Sequence, residues 1–430
     1  MRRMFSSLSV PNYRRWFIGG LTSNVGTWMM RTAMGWLVLV ELTDGDMGAL
    51  GLVTGLQFVP ALLLSAYAGT LADRFPKRRV MMAAQSLMLM DALVLGLLVT
   101  TGTALLWQVY VIAILDGIGS AMDAPARQAF VSEVVGRDLL PNAISLNSTS
   151  FNGARLIGPG LAGVLIAVLG STGPVFLVNA ASFVVVLAML ATMDASALRS
   201  APPAEGRRGR LAEGLRYVAG RPDLKLLLGI GFMMGSFGFN FAITNPIMVR
   251  SVFGLGPTQL GILGSLMGVG ALTAALTSAA RRRPRLRYVL AAQAGFAAFS
   301  LASVFAPTFE VFALLMVVIG YCAVTTMVTA NTLVQVSLAP GIRGRVMSLW
   351  MLVVMGGTPI VSPIVGWIGQ AFGPRMTVLV GVVGVGAMAI GSLAWVMWSE
   401  RIRVSVAWEE RRPHWVVTRG VTEEVDPRGK

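Results

Sequence analysis

Long apolar runs, broken by short polar or basic stretches, organise this chain. They fall at about 15–41, 48–72, 79–101, 105–128, 143–169 and 173–193, and again at about 226–249, 258–280, 288–306, 310–337, 346–371 and 376–398. A helix crossing a hydrocarbon core of roughly 30 Å needs about 20 apolar residues. The runs reach or approach that length. None shows the alternating polarity of a membrane-spanning strand. The pattern predicts an all-α polytopic membrane protein of twelve transmembrane helices, six on each side of a polar stretch.

Composition narrows the class. Of 430 residues, 55% are apolar and only 13% are charged, about half the charged share of a soluble domain. A soluble globule, a disordered chain and a coiled coil are excluded. The single cysteine, Cys322, lies inside a run. No intramolecular disulfide can form, and neither a metal nor a cofactor is expected. His414, the lone histidine, sits in the polar tail and reads as incidental. No P-loop, HExxH or Gly-x-Ser-x-Gly stands in a credible context, so an enzyme is not expected.

The net charge of +15 invites a nucleic-acid reading, but the placement of the charges argues for topology. With the N-terminus inside, 31 of the 35 Lys and Arg fall on inward segments. The exceptions are Arg31, Arg155, Arg250 and Arg375. This is the cytoplasmic bias of a multi-pass protein of the inner (plasma) membrane with both termini cytoplasmic. No nucleic-acid partner is expected. Residues 1–16 carry no cleavable signal pattern.

The stretch 194–225 holds Pro202, Pro203 and a run of arginines. It divides the chain into an N-terminal bundle (1–195), a cytoplasmic linker (196–221), a C-terminal bundle (222–400) and a tail (401–430). Residues 211–219 have the pattern of a short amphipathic helix. A weak repeat relates the halves. With an offset of 203 residues, Ser145, Leu146, Gly153, Ile157, Gly163 and Gly170 fall on Ser348, Leu349, Gly356, Ile360, Gly366 and Gly373. Repeated halves are common in secondary transporters, with the substrate site at their interface near mid-membrane.

Between the second and third runs stands Gly69-Thr-Leu-Ala-Asp73-Arg74-Phe-Pro76-Lys77-Arg78-Arg79. It resembles motif A of the major facilitator superfamily, with Pro76 where glycine is usual. The resemblance covers about residues 10–400 and implies a gating role for Gly69, Asp73, Arg74, Lys77 and Arg78. Asp73 would latch onto the start of helix 11 in the outward-open state. Lys77 would pair with an acid at the inner end of helix 4, for which Asp123, beside Arg127, is the candidate. The loop 281–285 of the second half is basic and has no acid.

Helix 5 carries Gly158, Pro159 and Gly163. These resemble motif C, the Gly-Pro motif associated with exporters and antiporters. Segments 26–43, 123–130 and 140–159 are similar to a branch of enterobactin-type siderophore exporters and Tap-like multidrug efflux proteins. Ala113 stands where many drug/proton antiporters carry the arginine of motif B, so any proton machinery lies elsewhere.

Ionisable groups at mid-membrane are costly and functional by default. Arg31, Asp91, Asp116 and Arg155 all belong to the first half, and the second half has no charge deep within a predicted run, Glu310 standing at the very start of one. Asp116 lies about 11 residues into helix 4, roughly 16 Å deep, and Arg155 about 12 residues into helix 5 from the other side, roughly 18 Å. Equal depth suggests that they interact, with Asp116 the leading proton site and Asp91 a third candidate. A substrate cavity is expected from Asn24, Trp28, Arg31, Met34, Phe151 and Asn152 of the first half. Phe237, Asn240, Phe241, Thr244 and Asn331 are its expected lining from the second.

The expectation is a monomeric secondary transporter in the bilayer. It would export amphipathic drug- or siderophore-like small molecules by alternating access, coupled to protons. Two alternatives keep the fold: an uncoupled facilitator or importer, and a sensor or scaffold that does not transport.

Overall fold

The computed structural model describes residues 5–136, 138–198, 210–281, 284–399, 403–409 and 412–418. Side chains are described except at 65–74, 210–212, 279, 340, 399 and the two terminal strands. The first half runs through α1 (Pro11–Trp36), continued by a π-helical turn (Leu37–Leu42), α2 (Met47–Arg74), α3 (Lys77–Thr100), α4 (Leu106–Val134), α5 (Leu140–Leu169) and α6 (Gly173–Ala191). A linker helix, α7 (Arg210–Ala219), leads to the second half.

There the seventh span is composite. α8 (Pro222–Met233) and α9 (Phe241–Ile247) are each followed by a π segment, Met234–Gly238 and Met248–Val252. α10 (Pro257–Ala280), α11 (Leu286–Val304) and α12 (Phe309–Val336) follow. The eleventh span is split at Gly357 into α13 (Pro340–Gly356) and α14 (Thr358–Phe372), and α15 (Met376–Ser399) is the twelfth. Among the described residues, ten helical segments are long and apolar enough to cross a membrane. α1 and α11 complete the twelve by position, as the elements that pack α6 and α12. The tail forms a two-stranded antiparallel hairpin, β1 (Arg403–Glu409) and β2 (Arg412–Thr418).

Prolines start many of these helices. α1, α5, α6, α8, α10, α13 and α14 each carry one in the first two positions, where the missing N–H would be unpaired anyway. The two breaks in the second half meet each other. The Thr358 hydroxyl donates to the Gly235 carbonyl at 3.3 Å. The Asn240 amide donates to the Ser236 and Phe237 carbonyls at 2.8 and 3.2 Å. Broken backbone at membrane depth persists only when its polar groups find such partners.

Helix packing repeats across the halves. In the first, α2 packs on α4, α3 on α4 and α6, and α1 on α5 and α6. Six spans later, α10 packs on α12, α11 on α12 and α15, and the seventh span on α13 and α15. The most extensive contacts between the halves are two symmetry-related ones, α2 with α14 and α5 with α10. α7 joins the second half. Its Val218 is buried with Leu224 and Leu349, and Glu213 pairs with Arg345 of α13.

Glycines set both inter-half contacts. A Cβ on Gly163 would stand 2.5 Å from the Pro257 carbonyl oxygen and 2.8 Å from the Gly261 Cα. One on Gly366 would stand 2.3 Å from the Met47 carbonyl oxygen and 3.0 Å from the Gly51 Cα. Small residues let backbones approach this closely. Both contacts lie at the end of the bundle remote from the linker. Gln370 also accepts the Met47 N–H there at 3.0 Å.

The linker end differs. Residues 18 apart on a helix lie five turns apart on one face. On α5, Ala162, Gly163 and Ile166 are buried at the far end. Ile144, Ser145 and Ser148, on the same face toward the linker, are exposed. The halves are therefore closed at the far end and parted at the linker end.

Candidate functional site: an aromatic and arginine cluster at mid-membrane

Near the closure, α1 and α5 bring Trp28 and Phe151 into edge-to-face contact, with centroids 5.8 Å apart. Arg31 lies one turn beyond Trp28 on α1, and Arg155 one turn beyond Phe151 on α5. Their guanidinium carbons sit 5.2 and 5.4 Å from the Trp28 ring centroid. Phe239, from the break in the seventh span, adds a ring 5.9 Å from Arg155. Guanidinium over indole is a favourable electrostatic contact, stronger when desolvated. Gly158 permits the arrangement, since a Cβ there would stand 2.6 Å from the Trp28 Cβ. One turn toward the linker end, the Asn24 amide donates to the Ser150 hydroxyl at 3.3 Å.

The helix 5 Gly-Pro stretch thus touches two partners. Gly158 seats α1, while Pro159 and Gly163 seat α10.

Asp116 and Arg155 do not form the expected pair. Among the described residues no ion pair links them, and α4 packs on α2 and α3, touching α5 only marginally. The charge acting on Asp116 is Arg31. Asp91 of α3 in turn feels Asp116. Both carboxylates are buried, and Asp91 Oδ2 has no hydrogen-bond partner among the described residues. Arg155 Nε is also buried without a partner among the described residues, and the charge acting on Arg155 is the like charge of Arg31.

At the linker end, Lys77 pairs with an acid of α4, but the acid is Glu133, at 2.8 Å, not Asp123. Depth explains the correction. Lys77 opens α3 at the membrane edge, and Glu133 occupies the last turn of α4, while Asp123 lies about 10 residues deeper, roughly 15 Å. Asp123 accepts instead from Arg127 at 2.8 Å and Gln85 at 2.9 Å. Arg78 donates to the Leu190 and Ala191 carbonyls, at 2.8 and 2.9 Å. A basic residue closing a helix C-terminus answers its unpaired carbonyls and its dipole. Gly69, Asp73 and Arg74 lie outside the residues with described side chains. Outside the spans, Asp194 caps the first half. The Ser196 hydroxyl and N–H donate to it and hold its carboxyl below the usual range.

The remaining cavity candidates divide. Met34 is buried, and its sulfur accepts from the Gln57 amide at 3.1 Å. Asn152 donates to Ser148 within α5. Asn240 serves the break in the seventh span and accepts from Ser362, and the Thr244 hydroxyl donates back to the Asn240 carbonyl. Phe241 packs on Phe296 of α11, and Phe237 lies against Gly384 of α15. Asn331 bonds Gln335 along α12. So Asn240, Thr244, Phe237 and Phe241 hold the second half together, and Phe239 reaches the cluster. Sequence reasoning passed over Phe239, whose one signal was its place between Phe237 and Asn240.

A family model described as transmembrane secretion effector matches residues 3–404. The chain belongs to this family of the major facilitator superfamily. Among curated relatives, it is 25% identical to the multidrug efflux pump Tap of Mycolicibacterium fortuitum over 370 residues, 84% of this chain and 89% of that one. It is 24% identical to the enterobactin exporter EntS of Escherichia coli O1:K1 / APEC over 89% and 91% of the two chains. A staphyloferrin A transporter of Staphylococcus aureus is 27% identical over 59% of this chain, and the match spans only 63% of that relative. The fold matches the nucleoside transporter NupG with a TM-score of 0.72 at 12% identity, over 89% and 99% of the chains. A bacterial homologue of ferroportin, in an inward-facing state, matches with a TM-score of 0.71 at 17% identity, over 90% and 98%. This family member is a multi-pass membrane transporter and not an enzyme.

Proposed function

We propose that this chain is a secondary exporter of amphipathic small molecules, driven by proton entry. The linker end is the cytoplasmic side, as the placement of Lys and Arg requires. One observation carries the reading. A single face of α5 is buried at one end and open at the other, with the Trp28–Phe151–Arg155 cluster where the two meet. This is one half-cycle of alternating access, with the cytoplasmic gate open. Drug- and siderophore-exporting relatives favour an amphipathic cargo.

Asp116 carries the proton. Burial favours its neutral form, and the positive charge of Arg31 favours the carboxylate. A change in how α1 sits against α4 alters that balance and couples protonation to conformation. Asp73 latches the cytoplasmic gate in the opposite state.

Proteoliposome flux tests the reading. A pH gradient, acid on the far side, should drive an amphipathic dye, offered in anionic and in neutral form, against its concentration gradient. Equilibration indifferent to the gradient would leave an uncoupled facilitator. Absence of flux for any amphiphile would leave a non-transporting scaffold.

A further inference from the structure

Two guanidiniums share one indole, and the charges around them are unequal. Arg31 has the negative charge of Asp116 acting on it. Asp91 lies beyond, on α3, and acts on Asp116. Arg155 has no carboxylate in contact among the described residues, its acting neighbour is another cation, and its Nε is buried and unpaired. A guanidinium is always charged and offers a planar fork of donors matched to a carboxylate. A buried charge without a counterion is expensive. Among the described residues, the rings of Trp28 and Phe239 lie against Arg155, and Phe151, in contact with Trp28, stands one turn below on α5. The place therefore lacks one anion and already provides an apolar wall for whatever carries it.

We infer that the Trp28–Arg31–Arg155 cluster binds the carboxylate of an amphipathic organic anion, with Arg155 as its principal partner and the three aromatic rings holding its apolar body. This rests on the exporter reading and narrows it to a cargo class. A charge-assisted, bidentate contact is among the stronger hydrogen-bonded interactions, and the neutral analogue of such a cargo loses it.

The test uses a matched pair of probes, dansylglycine and its neutral amide. Each is titrated by fluorescence against the full chain in phosphatidylcholine nanodiscs. The acid should bind roughly tenfold tighter than the amide or better, about 1.4 kcal/mol. Arg155→Gln should bring the acid down to the affinity of the amide and leave the amide unchanged, which also shows that the site still folds. Arg155→Lys should keep part of the preference. Equal binding of acid and amide to the unaltered chain overturns the anion site while leaving an amphiphile exporter standing. Equal losses for both probes in Arg155→Gln make the arginine structural and overturn it too. Competition by phosphatidylglycerol added to the nanodiscs would assign the site to a lipid headgroup and overturn a small-molecule cargo. Binding of neither probe would count against the anion site and the exporter together.

Discussion

Gly163 and Gly366 stand 203 residues apart in the chain and occupy equivalent places in the fold. Each lets its helix lie directly on the opposite half, Gly163 on Gly261 and Gly366 on Gly51. The weak repeat in the sequence thus marks the two seams along which the halves close at the far end.

Filling one seam should therefore move the conformational equilibrium. Gly163→Leu places a side chain where the Pro257 carbonyl already sits, and overpacking of this kind costs roughly 1–3 kcal/mol. The far end should part. Spin labels at Asp46 and Phe372, on opposite halves, should report a longer distance than in the unaltered chain. An unchanged distance would mean that the seam does not decide the state.

Asp116→Asn should abolish uphill, proton-driven efflux while leaving exchange of labelled for unlabelled cargo intact. Asp91→Asn should do less harm. The opposite order, read in the same proteoliposomes, would move proton coupling to α3.

Lys77→Ala leaves Glu133 facing a partly buried site without its cation. Thermal unfolding in detergent should show a loss of roughly 1–3 kcal/mol. Glu133→Gln added to Lys77→Ala should recover most of it, because the stranded charge is then gone. No recovery would mean that the lysine acts through packing.

Asp73→Asn should favour the state closed at the far end, if Asp73 latches the other one. Labelling of a single cysteine placed at Ser148, exposed in this conformation, should rise in Asp73→Asn. Equal labelling would remove the latch.

The count of spans and their order were legible because they rest on local length and polarity. So was α7, whose apolar face follows helical spacing. The breaks in the seventh and eleventh spans were not. The runs at about 226–249 and 346–371 read as continuous, and at the break in the seventh span the Gly235 carbonyl is served by the Thr358 hydroxyl, 123 residues away. The Lys77 partner was half legible: the helix was right, and depth along it would have chosen Glu133 over Asp123. The Asp116–Arg155 pairing failed for another reason. Depth placed both residues at one level, but α4 and α5 are not close neighbours.

That this chain lives in a bilayer, as two runs of six spans with most of its basic residues in one set of loops, follows from the order of its residues alone. Those properties are sums over local stretches, and a helix of given length and polarity carries them wherever it packs. Which intramembrane charges face each other, which asparagines serve broken backbone, and that Arg155 lies against Trp28 with no carboxylate in contact among the described residues, came from the packing of the helices. Such relations depend on which helices are neighbours and how each is rotated about its axis, and neither follows from the spacing of residues along one helix.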